Sequence, residues 1–214
     1  MKITKIIIAA ALAFFAVSCE DFIDVKPQGV IDDELANSNP DQMVTAAYSM
    51  LGNCWYNYPF NLWPYGDLAS DDCLKGGSGT TDTGYHDVEV WSTLTSTRGE
   101  LDELWYRLYC AISRCNRAII SLNDYGAEVL GEETAAIRMG EVKFLRAHFY
   151  FKLLTMFRQI PWITEDAVLN GTHESIRNDE YSYEELFSLV IADFEEAYNV
   201  LPEVPADGGR THKI

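Results

Sequence analysis

Positive charge is scarce in this chain. Its 214 residues carry 16 Lys and Arg against 33 Asp and Glu, a formal net charge of −17. A surface this acidic repels phosphate backbones and anionic headgroups, which excludes nucleic acid as a partner. Long apolar runs are missing too. The longest, Ile6 to Val17, has 12 residues. At ~1.5 Å per residue it cannot cross ~30 Å of hydrocarbon. Catalytic signatures are absent: there is no Gly-x-Ser-x-Gly, no His-Glu-x-x-His and no phosphate loop. A glycosidase needs two carboxylates ~5–9.5 Å apart, and 33 acids satisfy that by chance. No enzyme activity, metal centre or cofactor is therefore expected. With 48% hydrophobic residues and 23% charged, the chain is ordinary enough to exclude wholesale disorder.

What is present begins with an address. Met1-Lys2-Ile3-Thr4-Lys5 is basic, the apolar run follows, and Ser18-Cys19 precedes Glu20-Asp21. A basic start, a short apolar stretch and a small residue at the cut form a secretory signal. Cys19 directly after the small residue makes residues 1–18 a lipoprotein signal peptide and Cys19 the lipidated residue, although Ala16 stands where Leu is commoner in a lipobox. Removing residues 1–18 takes away Lys2 and Lys5 and no acid, which moves the charge from −17 to −19. More than one acyl chain on Cys19 would anchor an otherwise soluble body. With Cys19 assigned, Cys54, Cys73, Cys110 and Cys115 remain. Cys110 and Cys115 lie ~140° apart around one helix and should not bridge. The spacings do not resemble a zinc site, so buried free thiols are expected.

The mature chain divides into an extended tether, residues 19–39, and a helical region, residues 40–214. Asn39-Pro40 opens a helix carrying Val44, Ala47, Tyr48 and Leu51 at helical spacing and ending at Gly52. A second helix starts from a Thr97/Glu100 capping box. It runs through Leu101, Leu104, Trp105, Leu108, Ile112, Cys115, Ile119 and Leu122, and Asn123 to Gly126 should end it. A third spans about Glu132 to Phe157, with Pro161 beyond. A fourth starts at Ser182, capped by Glu185, and carries Leu186, Leu189, Phe194, Ala197 and Leu201. Long amphipathic helices joined by short turns are the unit of tetratricopeptide-like arrays. The fold class expected is all-α, built of such hairpins. The fourth helix has no partner after it, so its stripe should be uncovered and the domain incomplete.

Residues 53–97 break this pattern. Pro59, Pro64, Gly66, Gly76, Gly77, Gly79 and Gly84 forbid a long element, and Lys75 to Gly84 reads as a mobile loop. Yet residues 55–91 hold eight aromatics. Sugar rings present apolar C–H faces that stack on such rings, and their hydroxyls need short polar groups nearby. Trp63, Tyr65, Tyr85 and Trp91, with Asp67 and Asp72, are the candidate ligand-binding residues, and Asn61 lies close by in sequence. The competing reading is that these aromatics pack the loop onto the helices. Asp67, Asp71 and Asp72 offer oxygens that a structural calcium ion would accept, but they lack the spacing of a dedicated site and read better as turn caps. Arg146 and His148 sit in an apolar stretch. A structural ion pair with an acid on a neighbouring helix is expected of the first, and a core or rim position of the second.

The order of these elements resembles the SusD/RagB family of Bacteroidetes nutrient-uptake lipoproteins. Carrying the resemblance are the start at Cys19-Glu20-Asp21-Phe22, the turn Ala69-Ser70-Asp71-Asp72, and Trp105-Tyr106 with Cys115-Asn116-Arg117-Ala118. Gly140-Glu141-Val142-Lys143-Phe144-Leu145-Arg146-Ala147-His148-Phe149-Tyr150-Phe151 is the most specific element, with His148 where Tyr is commoner. Ile191-Ala192-Asp193-Phe194 and Gly208-Gly209-Arg210-Thr211 complete it. The resemblance implies a surface-exposed, lipid-anchored outer-membrane protein that binds a glycan; the acidic charge makes a neutral oligosaccharide the expected ligand. It also implies a SusC-like TonB-dependent transporter as partner. Family members are more than twice this length. Two other readings stay open: a helical module that docks on the transporter without touching ligand, and a surface-anchored glycosidase.

Overall fold

Asn39 caps the first helix as its sequence predicts. In the computed structural model its side chain accepts from the Gln42 amide, and Pro40, which has no amide to lose, follows it. The structure describes residues 38–52, 63–77, 83–91, 95, 99–205 and 207–213. The signal segment, Cys19, the tether up to residue 37, Cys54, Asn61 and Thr97 lie outside the described residues. Helix α1, Pro40–Tyr48, runs into a single 3-10 turn, Ser49–Leu51. Val44 and Ala47 are fully buried, whereas Leu51 is exposed, because the tightened turn rotates it off the apolar stripe.

Two short helices interrupt the segment that reads as irregular: α2, Trp63–Gly66, and α3, Thr83–Val90. Gly84 is therefore helical and buried, not the end of a loop. The long helix α4, Gly99–Ser121, carries a strongly one-sided apolar face. Leu104, Leu108, Ile112, Cys115, Ile119 and Leu122 are all buried, as their spacing predicts. Asn123 to Gly126 does not end it. Those residues widen into one π-helical turn, Leu122–Gly126, and the chain goes on as α5, Ala127–Leu130. A turn-forming tetrapeptide stays helical here because Leu122 and Gly126 are both buried, so tertiary packing overrides local preference.

The reversal falls instead on one residue, Gly131, which ends α5 and starts α6. Its φ of +79° and ψ of 154° are a backbone state open essentially to glycine alone. Helix α6, Glu132–Phe157, has the bounds that its periodicity predicts. It forms the hairpin with α4. α7, Glu165–Leu169, packs on α4, and α8, Tyr183–Val200, packs along α6. Ser182 and Glu185 form the expected capping box.

The stripe on α8 is largely covered, contrary to the sequence expectation. Leu186, Ala197 and Leu201 are buried, as is Val190 beside them, and Leu189 and Phe194 are half-buried. Helix α6 can serve α4 and α8 at once because it is apolar on two sides. Gly140 lets the C-terminal end of α8 approach closely: a Cβ there would stand 2.4 Å from Val200 Cγ2. The exposed apolar residues of α8 are others, Ile191, Tyr198 and Val200.

Among the described cysteines, Cys73, Cys110 and Cys115 are free. Only Cys115 is buried; Cys73 and Cys110 are half-buried. Burial pushes the Cys115 thiol up to about 12, which keeps it protonated and inert. His148 is half-buried, edge-on to Phe149. Burial, helped by the neighbouring Lys152 charge, brings its pKa down to about 4 from 6.5. The unfolded chain then binds a proton that the folded chain refuses. Stability tied to His148 is complete above pH 6.5 and is lost as pH falls towards 4. Thermal melts at pH 7 and pH 5 should show a smaller drop for His148→Tyr than for the parent; an equal drop places the sensitivity elsewhere.

Candidate functional site

The candidate binding segment is pinned at three places. Ser70 holds its turn: the hydroxyl donates to the Asp67 carbonyl and accepts from the Asp72 amide. The Asp67 and Asp72 carboxylates are left exposed, so the capping expected of them is done by Ser70. The Lys75 amide donates to the Glu89 carboxylate, which ties the extended stretch after the turn to α3. Leu68 and Val88 are fully buried beneath. No group of three His, Cys, Asp or Glu side chains converges as a metal site would require, among the described residues.

Trp91 provides the third pin. It follows α3 with φ of +59°, in the left-handed half of the map that a bulky residue rarely enters. Its indole Nε1 donates to the Ala69 carbonyl at 3.1 Å. The residue is nevertheless 63% exposed. The result is a flat aromatic face held in place by its edge and open to solvent, beside a turn that presents Asp67 and Asp72. Strain stored under an exposed aromatic points to a use for that residue.

The other candidate aromatics are placed differently. Tyr65 lies half-buried against the main core, where it serves packing, and Tyr85 is half-buried on α3. Trp63 starts α2, but its side chain lies outside the described residues. Trp91, Asp67 and Asp72 are thus brought to one surface region through Ala69. Sequence reasoning missed Ser70 and Glu89, the residues that hold this surface together. A serine two residues ahead of Asp72 was the one local signal available.

A buried polar cluster ties the long helices together. Arg146, 3% exposed, meets both Asp193 oxygens at 2.6 and 2.8 Å, Asn116 Oδ1 at 3.0 Å and the Glu165 carboxylate. The structural ion pair expected of Arg146 is present and joins α4, α6, α7 and α8. Burial alone would lift the Glu165 carboxyl, but the guanidinium outweighs it and holds the group below the usual range. Asn116 also donates to the Ile163 carbonyl. The Tyr150 hydroxyl both donates to that carbonyl and accepts from the Ile163 amide, and its ring stacks on Trp162 at 3.9 Å.

A SusD-like family model, described as starch-binding and associating with outer membrane, matches residues 21–212. SusD-like protein P25 of Formosa agariphila is 29% identical over 231 residues, covering all of this chain and 41% of that protein. The solved structure of a laminarin binding SusD-like protein superposes with a TM-score of 0.68 at 24% identity, over 81% of this chain and 36% of that one. Surface glycan-binding protein A from Bacteroides fluxus gives 0.64 at 25% identity, over 79% and 35%. The chain spans about two fifths of the length of the curated relatives it matches.

Proposed function

The chain belongs to the SusD-like family of starch-binding proteins that associate with the outer membrane, and on that premise we propose that the whole protein is a surface glycan-binding lipoprotein. The observation that carries this reading is Trp91, an exposed indole fixed by its own hydrogen bond beside two free carboxylates. An ordered aromatic face takes up the apolar side of a sugar ring without first losing conformational entropy. Asp67 and Asp72 accept from its hydroxyls. Trp63 is the second stacking residue and Tyr85 an edge contact; Tyr65 supports α2 from below. The strongly acidic surface disfavours a polyanionic glycan, so the ligand is a neutral oligosaccharide. The family description names binding, and we assign no catalytic step.

Titration of the whole protein with laminarin oligosaccharides, followed by Trp fluorescence, tests this directly. Saturable quenching in the micromolar-to-millimolar range, about −4 to −8 kcal/mol, is the expected outcome. No response to laminarin or to starch oligosaccharides would leave the alternative, a module that only docks on a TonB-dependent transporter. Release of reducing sugar during the titration would point to a glycosidase.

The same reading places Cys19 as the lipid anchor and a SusC-like transporter as the partner. Cys19→Ala should move the protein from the outer-membrane fraction to the soluble fraction in cells lacking the transporter. A mutant that still pellets would show that the anchor lies elsewhere.

A further inference from the structure

We propose that residues 207–213 form a polar strap that opens as one unit from the helices, with the Arg210–Glu141 ion pair as its latch. The strap begins in a tight turn: the Gly209 amide donates to the Asp207 carboxylate and the Arg210 amide to the Asp207 carbonyl. Arg210 then reaches Glu141 at 2.8 Å and Asp41 at 3.4 Å. Arg138 bonds the same two acids, at 2.9 and 2.7 Å, which closes a ring of four charges across α1, α6 and the strap. Glu141 is only 1% exposed, so this ring neutralises a carboxylate that could not otherwise stay charged in the core.

Beyond Arg210 the strap touches α1 again. The Thr211 amide donates to the Tyr48 hydroxyl at 3.0 Å, and the two hydroxyls lie 2.8 Å apart. Further on, the Lys213 amide donates to the Pro202 carbonyl at 2.9 Å, and its ammonium lies over the Tyr198 ring. His212 and Lys213 there wall a groove of about 610 Å³ between α6 and α8 that also includes Phe144, Phe194 and Tyr198.

No apolar side chain occurs between Asp207 and Lys213. The strap is held by ion pairs, hydrogen bonds and the cation–π contacts of Arg210 with Tyr48 and Lys213 with Tyr198, and segments with few buried apolar contacts open at low free energy while the core stays closed. Its anchors are spaced only one or two residues apart, so loss of the first leaves too little fixed chain to keep the others aligned. Opening would remove one wall of the α6/α8 groove.

Residue-resolved hydrogen exchange on the full chain tests this. Arg210→Ala should speed exchange of the Thr211 and Lys213 amides by about tenfold or more, although the Lys213 bond to Pro202 is untouched by the substitution. Amides of α6 between Val142 and Leu153 should keep their protection. Tyr48→Phe, which leaves the charge ring intact, should release Lys213 in the same way. Unchanged Lys213 exchange in both variants overturns the proposal, since the contacts would then be independent. Faster exchange throughout α6 in both would overturn it too, since the strap would then be part of the global fold.

Discussion

Arg146→Met should lower the stability of the fold by about 3 kcal/mol, read as a fall of roughly 1–2 M in the urea midpoint with an unchanged slope. The cause is not loss of attraction as such. Arg146 and Asp193 are 3% and 4% exposed, and a carboxylate without its guanidinium keeps the full penalty of leaving water. Lys143, 3.2 Å from Asp193, softens the loss, and Glu165 can turn to solvent because its side chain is 19% exposed. Those two escapes put the value at the lower end for a broken buried pair. Pairing Arg146→Met with Asp193→Leu should recover most of the stability, because the stranded charge is gone. If the double variant is no better than the single one, the Asn116 and Glu165 bonds carry the effect, not the desolvated acid.

Trp91→Ala should weaken glycan binding by about thirtyfold, roughly 2 kcal/mol, the value of taking one large apolar face out of contact with a sugar. Stability should change little. The exposed ring gives up a single hydrogen bond to Ala69, worth about 1 kcal/mol, and helical circular dichroism should be unaltered. Trp91→Gly separates binding from folding more sharply. Glycine adopts a φ of +59° without strain, so this variant should be no less stable than Trp91→Ala and should bind as weakly. Trp91→Phe keeps a ring but loses the indole N–H and should retain part of the affinity. Adding Trp63→Ala to Trp91→Ala should abolish binding. Normal binding by that double variant would place the glycan site outside this segment and leave the segment as scaffold.

The sequence by itself determined the start or the bounds of three helices. Three of the long helices begin or end where a cap, a proline or the periodicity says: Asn39-Pro40, the Ser182/Glu185 box and the stretch from Glu132 to Phe157. These signals are legible because they act within one or two turns of backbone, where hydrogen bonding is local. It also identified Arg146 as an internal ion-pair partner, because a guanidinium inside an apolar stripe has no other stable state. Only the tertiary structure decided the rest. Asn123 to Gly126 stays helical because two of the residues flanking and within it are buried. The α8 stripe is largely covered because α6 is apolar on a second side, which a periodicity measured one helix at a time does not reveal. Tyr65 and Trp91, indistinguishable as loop aromatics in the sequence, part company: one packs on the core, the other is held open by Ala69, 22 residues away. Contacts between residues that far apart depend on how whole elements are seated, and local preferences do not encode that seating.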